Sequence, residues 1–175
     1  PPKGQNEIDS IYFEVSIHER GDFVLGAYVY GDDPDTQITH ALLKCGLRPG
    51  IDEFKSSAYM SKCPQYVALR DELRDVLHRN FLIGVLVTPL AERRSLSLET
   101  LHGLHKIVTA NGLTEKGLAA FFDQGIFSSC EEAKELAMRL GVGEFCQIHA
   151  EQDSRKIKGL QLADLVAHTC ATMLL

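Results

Sequence analysis

The C-terminal segment of the chain, residues 159–175, is apolar on almost every side and must be buried if it is helical. Three polar residues interrupt it, Gln161, Asp164 and His168. Because an α-helix turns once in about 3.6 residues, these side chains share one narrow stripe. A buried carboxylate is costly unless it is paired, hydrogen-bonded or bound to metal. Asp164 is therefore either a structural residue that caps a loop or pairs with an arginine, or a metal ligand or general base in a polar cavity.

The composition limits the class of protein. A chain of 175 residues with 45% hydrophobic and 24% charged residues predicts a single globular domain, residues 1–175. The longest apolar runs are too short to span a membrane. The five cysteines are odd in number and scattered, which argues against a disulfide framework and predicts a cytoplasmic protein. A net charge of −6 disfavours non-specific coating of nucleic acid duplexes but suits a site that concentrates carboxylates around a cation.

Hydrophobic periodicity predicts the element order β-β-α-α-β-α-β-α-β-α. The predicted strands are residues 8–17, 23–30, 81–87, 118–122 and 145–149, and the predicted helices are residues 36–45, 64–79, 97–110 and 129–140 and the C-terminal segment. The first two strands should form an antiparallel hairpin. The uninterrupted apolar run Phe81–Val87 predicts a strand buried on both faces. Alternating strands and helices predict an α/β fold, a parallel or mixed sheet flanked by helices, with ligands beyond the carboxyl ends of the strands.

Acidic residues are the candidates for chemistry, because the chain has no phosphate-binding loop, nucleophile elbow or His-Glu-x-x-His motif. Glu14 lies within the apolar first strand, and Asp123 directly follows the fourth. Together with Asp164 they would offer the oxygen ligands that Mg²⁺ or Mn²⁺ prefers, and such ions catalyse phosphodiester cleavage. Each acid also has a structural interpretation: Glu14 pairs with an arginine across the sheet, or Asp123 caps a turn.

The residues that lead into the C-terminal helix resemble a known family. Ser154–Ala167 (Ser-Arg-Lys-Ile-Lys-Gly-Leu-Gln-Leu-Ala-Asp-Leu-Val-Ala) is similar to the C-terminal motif of domain of unknown function 3800, a widespread bacterial and phage family. Members typically open with a strand that carries Asp-Glu-Ser-Gly, and carry a Glu-Phe-Lys-like element and an aspartate at a strand end. The matching stretches here are Ile11–Ile17, Glu53–Lys55 and Phe122–Asp123. In place of Asp-Glu-Ser-Gly the chain has Glu14-Val-Ser-Ile, so the second acid is absent.

This resemblance implies a ribonuclease H-like mixed sheet with carboxylates on the first strand, at a central strand end and on the last helix. We therefore predict a metal-dependent nuclease that hydrolyses nucleic acid and binds Mg²⁺ or Mn²⁺ through Glu14, Asp123 and Asp164. Gln161 would orient a ligand or water, and His168 would add a ligand or a base. Asp153 or Glu53 would serve as an auxiliary acid.

Basic residues close to these acids would hold the phosphates of the substrate. They are Lys55, Arg155, Lys156 and Lys158. A run of basic residues is also typical of a solvated loop. Two other functions stay open: a catalytically degenerate binding or interaction module, which the missing second acid favours, and a small-molecule phosphodiesterase, which the acidic composition favours.

Overall fold

The computed structural model describes residues 9–57, 62–91, 96–113 and 117–175, which form a five-stranded sheet with helices on both faces. The strands are β1 (Asp9–His18), β2 (Phe23–Gly31), β3 (Leu82–Pro89), β4 (Leu118–Asp123) and β5 (Cys146–Gln152). The helices are α1 (Asp35–Lys44), α2 (Pro64–Asn80), α3 (Leu96–Ala110), α4 (Cys130–Arg139) and α5 (Gly159–Leu174), with a short 3-10 helix at Val142–Glu144. The predicted order of strands and helices is confirmed, although Ile8, predicted to open β1, lies outside the described residues.

The sheet is mixed, with the strand order β3-β2-β1-β4-β5. β1 and β2 form the predicted antiparallel hairpin, and β3 adds to β2 in the antiparallel direction. β4 runs parallel to β1, and β5 runs parallel to β4. β1 therefore lies at the centre, between the antiparallel and the parallel halves of the sheet.

Residues of β1 alternate between two hydrophobic cores because successive side chains of a strand point to opposite faces. Tyr12 packs beneath α1, α2 and α5, whereas Ile11 and Phe13 pack against α3 and α4. Phe13 is fully buried, and burial of a side chain of this size contributes roughly 1.5–3 kcal/mol. The face that carries α5 also receives Glu14, two residues beyond Tyr12.

The expectation that the run Phe81–Val87 is buried on both faces is wrong. β3 is an edge strand, and Leu82, Ile83, Val85 and Val87 are 57%, 51%, 45% and 49% exposed. An uninterrupted apolar run fits a strand that is covered on both faces, but it does not reveal how many neighbours or helices cover the strand. Here β2 is the one partner of β3 among the described strands.

Helix α5 is buried from Gly159 to Ala167 except for Asp164, which is half-buried, as its apolar sequence predicts. It begins so close to the sheet that a Cβ at Gly159 would lie 2.3 Å from the ring of Tyr12. The last turns depart from the prediction, because His168 is exposed and Met173 is 81% exposed. In the described ranges, no helix has both the length and the apolar character to cross a membrane.

Candidate functional site

Three acidic side chains from different parts of the chain lie together on the α5 face of the sheet. The parallel register pairs Phe13 with Phe122, so the next residues, Glu14 and Asp123, are neighbours across β1 and β4. Asp164 comes from α5, which packs over this face. Glu14 interacts with both aspartates. The sequence separates Glu14 from the two aspartates by more than a hundred residues. The parallel pairing of β1 with β4 brings Glu14 beside Asp123, and the packing of α5 adds Asp164.

Burial and neighbouring negative charge make Glu14 a weak acid. Burial contributes most to a pKa of about 9, compared with an ordinary value of 4.5. A hydrogen bond with Asp123 and the charges of Asp123 and Asp164 raise the pKa further, while the Val15 N–H at 2.9 Å from Glu14 Oε1 opposes the rise. Glu14 is therefore protonated at neutral pH when the site holds no additional cation.

Asp164 is held by the loop that follows α1. The backbone N–H of Ser56 donates to Asp164 Oδ2, and the Ser56 hydroxyl donates to Oδ1, both at 2.9 Å. Burial raises the pKa of Asp164, whereas these two hydrogen bonds and the charges of Lys55 and His168 lower it. The sequence predicts a partner for this carboxylate, and Ser56 is that partner.

Gln161 ties the same loop to α5. Its Oε1 accepts a hydrogen bond of 2.9 Å from the Phe54 N–H, and its Nε2 donates one of 3.0 Å to the Ser154 carbonyl. Its side chain is fully buried. Both polar groups of Gln161 bind backbone, and these contacts hold the Glu53–Ser56 loop against the helix. Its predicted task of orienting a ligand or water stays a prediction.

The ammonium group of Lys55 lies among the acids. Its Nζ is 3.9 Å from Glu53 Oε1 and 4.0 Å from Asp123 Oδ2, and 42% of the side chain is exposed. Burial would lower the pKa of Lys55, but the surrounding carboxyl groups raise it instead. These groups are, from the strongest effect to the weakest, Glu53, Asp123, Glu14 and Asp164. The half-exposed Lys55 side chain therefore partly neutralises the negative charge of the cluster.

Two solved structures share this arrangement of strands and helices. One is ribonuclease HII of Archaeoglobus fulgidus in a complex with PCNA, with a TM-score of 0.56 and 15% identity over 94% of this chain and 72% of that one. The other is ribonuclease H2 of Pyrococcus horikoshii OT3, with a TM-score of 0.52 and 10% identity over 95% of this chain and 73% of that one. The fold is ribonuclease H-like. No protein-family model matches the chain, and no curated protein matches it in sequence.

The remaining predicted site residues have other partners. Arg155 binds Asp153 through two contacts of 3.1 and 3.0 Å, and these contacts lower the pKa of Asp153. The Nζ of Lys158 lies 2.8 Å from Asp35 Oδ1, and this lysine side chain is only 12% exposed. Lys158 thus joins the start of α5 to the start of α1, which leaves it poorly placed for a phosphate.

Lys156 and His168 are exposed. Lys156 lies in the turn that follows Asp153, where its backbone N–H donates to the Asp153 carbonyl. His168 lies one helical turn beyond Asp164, close enough for its charge to lower the pKa of that carboxyl. Both side chains are accessible from the solvent.

The donor chemistry of the cluster fits a hard divalent cation, because Mg²⁺ and Mn²⁺ take carboxylate oxygens as ligands. Within the part of the chain that the structure describes, no group of three or more His, Cys, Asp or Glu residues is arranged to hold a metal ion as it stands. The three acids therefore carry the ligand atoms that such an ion prefers, but the Lys55 ammonium group lies beside them.

Sequence reasoning missed two hydroxyl groups that support the acids. Ser56 binds Asp164, and the Ser154 hydroxyl donates to Glu53. Ser56 directly follows Glu53-Phe54-Lys55, and Ser154 opens the C-terminal motif, so both serines lie beside predicted site residues. A small hydroxyl residue next to a carboxylate motif is a weak signal, because serine is equally common in plain turns.

Proposed function

We propose that this protein is a divalent-metal-dependent nuclease whose metal ligands are Glu14, Asp123 and Asp164. The observation that carries the proposal is the convergence of these three carboxyl groups, from β1, β4 and α5, on one face of a ribonuclease H-like sheet. Solved structures with the same fold include ribonucleases HII and H2. Position 15, where the resemblance expects a second acid, carries a valine that packs into the core of the opposite face.

A bound Mg²⁺ or Mn²⁺ ion would polarise the phosphodiester and lower the pKa of a coordinated water. The protein supplies the rest. Ser56 and Gln161 fix the loop and Asp164 relative to each other, so that the carboxyl groups keep their orientation. Lys156 is exposed and available for backbone phosphates near the start of α5, whereas Arg155 would exchange its contacts with Asp153 for a phosphate.

A second candidate is a nucleic-acid-binding or interaction module of the same fold without catalysis. The position of Lys55 favours it, because an internal ammonium partly neutralises the acids without any metal. In this case the carboxylate cluster would stabilise the loop against α5, and Arg155 and Lys156 would still contact phosphate. The two candidates differ in whether the cluster binds a divalent ion.

Metal binding is tested by thermal unfolding with increasing Mn²⁺. An ion at about 100 times its dissociation constant stabilises the folded state by about 2.7 kcal/mol. For a chain of this size we expect a rise in Tm of about 5 to 10 °C. Asp123→Asn and Asp164→Asn should lose the rise, whereas Asp71→Asn, at an exposed position on α2, should keep it. An unchanged Tm in the wild type at millimolar Mn²⁺ would refute the metal site and leave the binding module.

Catalysis is tested separately on single-stranded RNA, single-stranded DNA, an RNA–DNA hybrid and bis-p-nitrophenyl phosphate. We expect Mn²⁺-dependent cleavage of an oligonucleotide, which Asp164→Asn reduces by about a hundredfold or more. Cleavage of the small diester alone would instead identify a small-molecule phosphodiesterase. Mn²⁺ binding without cleavage of any substrate would contradict the nuclease proposal.

A further inference from the structure

Lys55 places a positive charge against two acids of the cluster. Its ammonium group lies between Glu53 and Asp123, with the Nζ atom about equally far from one oxygen of each. Lys44 and Lys158 each contact one carboxylate, whereas Lys55 contacts two.

One ammonium does not neutralise the cluster. Its Nζ lies within 4.0 Å of two carboxylates, Glu53 and Asp123, so a single positive charge faces two acidic groups. The arginine of the C-terminal motif, Arg155, is engaged with Asp153. A divalent ion would balance this negative charge better than a lysine does.

The Lys55 side chain can leave while its backbone stays in place. On one side the Phe54 N–H is bonded to Gln161, and on the other the Ser56 N–H is bonded to Asp164. The side chain between these two anchors is 42% exposed and makes contacts of 3.9 and 4.0 Å, which are long for charged hydrogen bonds. A change of side-chain rotamer is therefore enough to carry the ammonium into solvent.

From these contacts we infer that Lys55 is the resident counter-cation of the cluster, and that its ammonium group must leave before a divalent ion can bind. This inference rests on the proposed metal site and adds a regulatory element to it. The lysine stabilises the acids in the metal-free protein and lowers their affinity for metal. Occupation of the site by an ion then releases a positively charged side chain at its edge, where it can meet a substrate phosphate.

The direct test is the affinity for Mn²⁺, measured by isothermal titration calorimetry without substrate. We expect Lys55→Met to bind Mn²⁺ about tenfold more tightly or better than the wild type, because a competing cation has been removed. Lys55→Gln should act in the same direction. The matched control is Lys44→Met, which removes an exposed lysine that contacts the single carboxylate Glu72, and it should leave the affinity within about twofold.

A second measurement follows the lysine itself in the wild type. Labelling with an amine-reactive reagent, read by mass spectrometry, should become several-fold faster at Lys55 when Mn²⁺ is added and should not change at Lys44. Equal Mn²⁺ affinity in the wild type and in Lys55→Met, or weaker binding by the variant, would overturn the inference while the metal site stands. Absence of binding in both proteins would overturn the metal site as well.

Discussion

Replacement of Glu14 by glutamine should stabilise the metal-free protein at neutral pH. The folded state holds a proton on Glu14 up to a pKa of about 9, whereas the unfolded chain releases it near 4.5. Because the folded state binds the extra proton between these values, stability falls as the pH rises from about 4.5 towards about 9. A glutamine keeps the oxygen that accepts from the Val15 N–H and removes this dependence.

The size of the effect follows from the distance between the assay pH and 4.5. Each pH unit in this window costs the wild type about 1.4 kcal/mol, so at pH 7 the cost approaches about 3 kcal/mol. At pH 5 it is below about 1 kcal/mol. Since Glu14 is only 9% exposed, solvent screens little of this cost.

The assay is urea unfolding of the wild type and Glu14→Gln at pH 5 and pH 7, with a chelator present to remove metal. We expect the variant to be more stable by about 2 to 3 kcal/mol at pH 7 and to differ little at pH 5. Glu131→Gln, at an exposed position in the first turn of α4, should change stability by less than about 0.5 kcal/mol at both values. A Glu14→Gln variant that is less stable than the wild type at pH 7, or equally shifted at both pH values, would refute the reasoning.

Two further substitutions test how α5 is held. Gln161→Leu leaves one buried backbone N–H and one carbonyl without partners, and it should lower the free energy of unfolding in urea by about 2 to 4 kcal/mol. The control Gln147→Leu, at an exposed position, should lower it by less than about 0.5 kcal/mol. A small effect at Gln161 would mean that water replaces its contacts. Gly159→Ala should cost about 1 to 3 kcal/mol because the new Cβ meets the ring of Tyr12, and Tyr12→Leu in the same chain should recover part of that loss. If the stability losses of Gly159→Ala and Tyr12→Leu simply added in the double variant, the proposed clash would be contradicted.

The sequence alone predicted the succession of strands and helices because each element carries its own periodicity. The hairpin, the strand that ends at Asp123 and the buried start of α5 all follow from local patterns. The position of β3 did not follow, since an apolar run looks the same at an edge as in the middle of a sheet. The exposed face of Ile83, Val85 and Val87 is a property of the strand order, which depends on pairings between distant segments.

Part of the candidate site could also be predicted from the sequence. The helical spacing placed Gln161 and Asp164 on one stripe, and both side chains contact the same loop. The spacing could not show that His168 is exposed, because the cover over the last turns depends on elements far away in the sequence. Nor could it show that Lys55 lies among the acids, since this position is set by hydrogen bonds across the loop.

The hydrogen bonds from Ser56 to Asp164 join residues 108 positions apart, and this separation governs the order of folding. While the chain is being synthesised, β1 and β2 can pair early, but β4 and α5, which cover the other edge and one face of β1, come from the second half. Contacts between such distant residues slow folding and leave apolar surface uncovered in the meantime. We therefore expect the acidic cluster and the hydrophobic core beneath α5 to form together, late in folding. Until α5 has been synthesised and packs, the apolar face of β1 stays exposed in the nascent chain.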